Sequence, residues 1–257
     1  MSLRRLTWTA YLLMVCQGFM FYAVGYITPY VASELGAPPW ASALPTSAMA
    51  IGLLVAGVIS NRVVRAFGAQ TAIRLWFALL VLAAVLLSLA FSIWPILAGA
   101  LVCGIAGAGV LVHVISTLAD RRHGVLLMRA VLWSVIGGVV GPIALSAAAR
   151  TVGWSVGILG AVPLLLVLAL VIPASPARDL AGPADRREPP LGRAYWLTWV
   201  YLALCIAAEF SFVAWGAQVA VEQAGLDLAD ATALGSLFVV GEVLGRLALS
   251  TGFGSAG

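Results

Sequence analysis

Glu209 stands in the run Cys205-Ile206-Ala207-Ala208-Glu209-Phe210-Ser211-Phe212-Val213-Ala214-Trp215, with no charged residue within ten positions on either side. A charge at the centre of a bilayer costs at least about 2.5 kcal/mol on insertion scales, so a carboxyl kept in such a run implies a use. Away from water it favours its neutral form, and it can take up and release a proton or partner a bound cation. Two further ionisable residues, Glu242 and His113, lie in long apolar runs. Glu242 precedes Arg246 by four residues, the spacing that lets the two pair on one helix face. His113, four residues short of the end of its run, is a candidate relay, with simple packing as the alternative. Gln17, Tyr22 and Tyr26 follow one another at spacings of five and four in a further apolar run. They are expected either to face a cavity and hydrogen-bond a solute or to pack.

Other chemistries find no support. The chain has no His-Glu-x-x-His and no phosphate loop. Asp120-Arg121-Arg122-His123 reads as a polar turn without a second cluster of metal ligands. No enzyme activity, metal or cofactor is therefore expected. A pI near 9.3 raises the question of nucleic acid, but the arginines gather near the ends of apolar runs and form no basic face. Cys16, Cys103 and Cys205 lie inside apolar runs, and an odd number of such thiols reads as packing, not as a disulfide framework.

The elements that must position these residues follow from composition. With 63% hydrophobic and 9% charged residues, and mean hydropathy +1.07, the chain cannot cover a water-soluble surface. Its partner is the lipid bilayer. About 20 apolar residues make one helical crossing of roughly 30 Å of hydrocarbon. Eight segments qualify: 7–32, 42–61, 72–92, 96–117, 127–148, 154–173, 195–218 and 230–249. Each is one long apolar run without the alternation of a barrel strand, so the expected fold is all-α. The first run is too long for a cleaved leader and reads as a retained span. Ser92-Ile93-Trp94-Pro95 and Arg150-Thr151-Val152-Gly153 read as turns, and Tyr30 and Trp40 as members of an aromatic belt. With the N-terminus inside, 13 of the 14 arginines fall on the cytoplasmic side and only Arg150 outside. That bias sets the orientation, in a cell (inner) membrane. The stretch 174–194 is rich in Pro, Asp and Arg and reads as a polar cytoplasmic linker between a unit over 1–173 and a second over 195–257.

The two units share an echo. Gly57, Arg62 and Gly68 recur as Gly241, Arg246 and Gly252 at one offset, since 241 − 57, 246 − 62 and 252 − 68 all equal 184. Six spans, a basic cytoplasmic loop and a second set reopening with the same Gly/Arg signature resemble the major facilitator superfamily. In that family two six-helix halves enclose a central cavity. The resemblance implies a polytopic bundle of which about eight of twelve helices are present. A fragment is the expectation, and an eight-helix protein in its own right the alternative.

Two motifs carry the resemblance further. The family's loop between helices two and three runs Gly-x-x-x-Asp-Arg-x-Gly. One register lays Gly57, Asn61 and Arg62 on it, and another uses Asn61, Arg65 and Gly68; neither supplies the acid. The resemblance assigns this loop, with Gly241, Glu242, Gly245 and Arg246, to conformational switching. Gly137-Gly138-Val139-Val140-Gly141-Pro142 matches the centre of the family's antiporter signature in helix five. There Pro142 removes one backbone bond, while Gly137 and Gly141 offer a small-xxx-small face for close packing. The resemblance implies a secondary transporter moving a small solute by alternating access, and the partial antiporter match tilts the reading toward export. Proton coupling through Glu209 is expected from its isolated position in the apolar run. A uniporter or importer of sugars or organic acids, and a truncated product that transports nothing, are the alternatives.

Overall fold

The computed structural model describes residues 3–119, 124–171 and 192–252. Among these, ten helical segments occur: α1 Leu3–Tyr26, α2 Thr28–Leu35, α3 Pro39–Ser42, α4 Leu44–Ser88, α5 Ile93–Ala119, α6 Gly124–Ala149, α7 Trp154–Leu159, α8 Val162–Val171, α9 Arg193–Ala224 and α10 Leu228–Gly252. Helix covers most of the described residues of each of the eight expected spans. Among the described residues, six helical stretches are long and apolar enough to cross a membrane, and Trp40–Ser88, at 49 residues, suffices for two crossings. The fold is an all-α, polytopic membrane bundle.

The chain reverses inside α4. Gly68 has φ 76° and ψ 156°, a region that glycine alone occupies freely. A straight helix would set Gly52 and Leu87 about 52 Å apart at 1.5 Å per residue. Yet Gly52 abuts Gly104 and Leu87 abuts Gly99, positions of α5 about 7.5 Å apart along its axis. The two arms of α4 therefore lie side by side against α5. Their approach is close: a Cβ added at Gly104 would sit 2.1 Å from the Met49 carbonyl oxygen. Without a hydrophobic drive between helices in lipid, such backbone contact is what packs them.

Two spans are broken where continuous helix was expected. Pro29 has no N–H to give Gly25, and the helix interrupts at Ile27. Pro163 likewise leaves Leu159 without its usual donor, and α7 passes into α8 through Gly160 and Ala161. α5 starts at Ile93, so its turn is Leu89–Ser92 and Pro95 lies in the first helical turn, where proline is tolerated. α9 runs six residues past the expected end, to Ala224, because Gln218 reaches Glu222 one turn on (2.8 Å) and keeps that polar stretch helical. Tyr30 is buried and stacks on Trp154 (6.0 Å between rings), so it is a core residue and not part of a belt, whereas Trp40 is exposed. Cys16 and Cys103 are buried as expected, but Cys205 is exposed on α9. The linker expected over 174–194 falls, up to residue 191, outside the described residues, as do Asp120–His123.

α1 is the most enclosed of the long apolar helices. It packs on α4, α5, α6, α8 and α9, and α10 lies chiefly along α6. The first half of α9 differs: every described side chain from Arg193 to Ala208 is exposed.

Candidate functional site, a tyrosine between two carboxyls

Helical geometry sorts the polar residues of α1. At 100° per residue, Tyr22 and Tyr26 are about 40° apart and share a face, but Gln17 lies about 140° from Tyr22. A single stripe through all three is therefore corrected. Gln17 is buried against α6, where its side-chain oxygen accepts a hydrogen bond from Ser134 Oγ (2.8 Å). Tyr22 and Tyr26 face α9 and α10. Tyr26 donates to the backbone oxygen of Gly235 in α10 (2.7 Å).

α6 brings the Tyr22 ring to its place. A Cβ at Gly137 would lie 2.0 Å from the Val15 carbonyl oxygen, and one at Gly18 1.8 Å from that of Ser134, so α1 and α6 touch backbone to backbone. Gly141 continues this face beside Phe19, with Pro142 buried next to it. Gly138 leaves the gap that the Tyr22 ring fills: an added Cβ would stand 2.5 Å from the ring. Phe210 of α9 stacks on the same ring, 6.5 Å between centroids.

Held so, Tyr22 Oη lies 2.6 Å from Glu209 Oε1 and 2.7 Å from Glu242 Oε2. Glu242 also pairs with Arg246, one turn further along α10. The spacing of four expected of that ion pair is thus realised, but Glu242 has a second role that local spacing does not reveal. One phenol, two carboxyls and one guanidinium from three helices converge within the bundle. Glu209 lies 15 residues from Ala224 and Glu242 12 residues from Asp230, depths of about 22 and 18 Å from that end. Both carboxyls therefore lie well inside the apolar stretches Arg193–Ala224 and Leu228–Ala248, where a charge must be paired.

The remaining candidates lie apart from this cluster or on open faces. His113 is half-buried in α5, the helix packed on α4 and α1. Asn61, Arg62 and Arg65 are exposed, with Arg65 Nε donating to the Asn61 backbone oxygen (3.3 Å). A Cβ at Gly57, Gly68, Gly241 or Gly245 would meet no described atom within 4 Å, so these glycines make no close helix contact here. The echo itself is unequal, because the partner of Glu242 at the offset of 184 is Val58, which cannot pair with Arg62 as Glu242 pairs with Arg246.

Sequence reasoning missed the contacts that join distant helices. Gly138 and Gly235 seat the two tyrosines, Gly25 makes room for Val213 of α9, and Arg150 pairs with Asp230 of α10. Arg150 carried a signal, being the lone arginine on its side of the expected topology. Gly235 carried none.

Among curated proteins, none matches this chain. The model of the Major Facilitator Superfamily matches residues 10–254, which covers both arms of the α4 hairpin, the glycine face of α6 and all three helices that meet at Tyr22. The apolar helical bundle and that match together make this a multi-pass membrane transporter, and the chain belongs to the major facilitator superfamily.

Proposed function

We propose that the protein is a secondary active transporter that exports a small solute by alternating access, coupled to protons through Glu209. The observation that carries this is the hydrogen bond between Glu209 and Tyr22 within the apolar bundle, beside Glu242 and Arg246. A carboxyl that spans the contact between α1 and α9 can change protonation only by changing a bond between those helices. Proton binding and helix rearrangement are then one event, which is what coupling requires. The moving parts in this reading are a unit over 1–173 and a second over 195–257, with the N-terminus cytoplasmic in the inner membrane. Gly137, Gly141 and Pro142 serve as the close-packed pivot. Arg62, Arg65 and Arg246 act at the cytoplasmic gate.

The test is solute flux in proteoliposomes carrying an imposed pH gradient, over a panel of small organic cations, sugars and organic acids. Glu209→Gln keeps the shape and removes the titratable group. It is expected to abolish gradient-driven flux while leaving downhill exchange of the same solute. Undiminished gradient-driven flux in that variant would refute Glu209 as the coupling site, and wild-type flux indifferent to the gradient would favour a uniporter.

A further inference from the structure

Tyr22 has one hydroxyl hydrogen, yet its oxygen lies at hydrogen-bond distance from carboxyl oxygens of both Glu209 and Glu242. Two carboxylates cannot share that hydrogen, because the second would set lone pairs against lone pairs at 2.6–2.7 Å. A second hydrogen must lie in the chain, and a carboxyl has to carry it. Arg246 decides which one: a guanidinium has only hydrogens to give, and it gives one to Glu242 Oε1, so Glu242 is the carboxyl already supplied with a fixed donor. Glu209 is then the acid. It donates to Tyr22 Oη, and Tyr22 donates to the Glu242 carboxylate.

We infer that Tyr22 is a positioning residue that converts the protonation of Glu209 into the number of bonds holding α1 to α9 and α10. This deepens the proton-coupling reading and rests on it for its role in transport, though the proton count stands independently. With the proton bound, Glu209, Glu242 and Arg246 sum to zero charge and Tyr22 bridges both helices. When the proton leaves Glu209, two carboxylates face one donor and one bond is lost. The phenol keeps Glu242 or turns to Glu209, and α1 loses that bond to the other helix, while Tyr26 to Gly235 and Val213 against Gly25 remain. The charged groups facing Tyr22 are Glu209 from α9 and Glu242 with Arg246 from α10. α6 presents Gly138 to the ring, and Tyr26 on α1 itself is engaged with Gly235. No competing titratable group among the described residues is bonded into this chain.

The experiment is a pH titration of the purified full chain in lipid nanodiscs, followed by infrared spectroscopy of the protonated-carboxyl C=O stretch. A single band that vanishes once with rising pH is expected. Glu209→Gln should remove it, Glu242→Gln should retain it, and Tyr22→Phe should retain it at a shifted frequency, because the acid loses its acceptor. A merely structural Tyr22 would leave the band frequency where it was. No protonated band at any pH where the chain stays folded, a band removed by Glu242→Gln alone, or an unshifted band in Tyr22→Phe would each overturn the inference. Flux that ignores a pH gradient while the band obeys these variants would support the proton count and end the coupling reading instead.

Discussion

At the scale of single residues, the site depends on what is absent from Gly138. A methyl group there would stand 2.5 Å from the ring of Tyr22, a residue only 5% exposed. Overpacking of this kind costs about 1–3 kcal/mol. Gly138→Ala is therefore expected to lower the thermal unfolding midpoint in detergent and to weaken gradient-driven flux together. Gly57→Ala is the contrast. No described atom lies within 4 Å of its added Cβ, and alanine is favoured over glycine inside a helix by up to about 1 kcal/mol. Its unfolding midpoint should be unchanged or raised. Equal losses in the two variants would mean that the glycine face of α6 does not seat the ring. Glu209, Glu242, Tyr22 and Tyr26 were each legible from residue type and depth. Their meeting was not, because Tyr22 lies 187 positions from Glu209 and 220 from Glu242 and nothing local encodes that pairing. Gln17 was read onto the wrong face because a spacing of five turns a helix by about 140°.

At the scale of elements, hydropathy located the eight spans, since the demand for apolar length is strict and each run meets it. What it could not place were the interruptions. An apolar run reads the same whether or not Pro29 or Pro163 removes a donor within it, and the apparent helix from Leu44 to Ser88 hides a reversal at one residue. Gly68 there adopts a conformation that costs any other residue of order 1–3 kcal/mol. Gly68→Ala is thus expected to destabilise the α4 hairpin although the site offers ample room for the methyl group. The measurement is the unfolding midpoint of the purified protein. A midpoint equal to wild type would show that the reversal does not need the left-handed backbone. This separates the two uses of glycine in the chain: Gly138 fails on substitution for want of space, Gly68 for want of a permitted backbone angle.

At the scale of the whole molecule, the contacts joining α9 and α10 to α1, α2 and α6 fall toward one end. Arg150–Asp230, Tyr26 to Gly235, and Val213 against Gly25 lie on that side of the Tyr22 cluster, while the opposite half of α9 stands exposed from Arg193 to Ala208. The structure is closed at the Arg150 end. The ion pair there is a weak part of the closure, because its side chains are 53% and 56% exposed. An exposed pair contributes about 0.2–1 kcal/mol and is screened by salt, so breaking it shifts an open–closed equilibrium by at most about fivefold. The buried bonds of Tyr22 and Tyr26 hold the rest. The check uses a cysteine at Thr232, a buried neighbour of Asp230 on α10, with Cys16, Cys103 and Cys205 replaced by serine. A membrane-impermeant thiol reagent is added on the Arg150 side. Arg150→Ala should raise the labelling rate by no more than about fivefold. High salt should reproduce that rise in the parent protein, and Arg150→Asp with Asp230→Arg should reverse it. Tyr22→Phe, which removes the bond to both helices at once, should raise labelling further, and that increment should not respond to salt. If Arg150→Ala alone opened the site fully, closure would rest on the surface pair, and the buried tyrosines would be passengers.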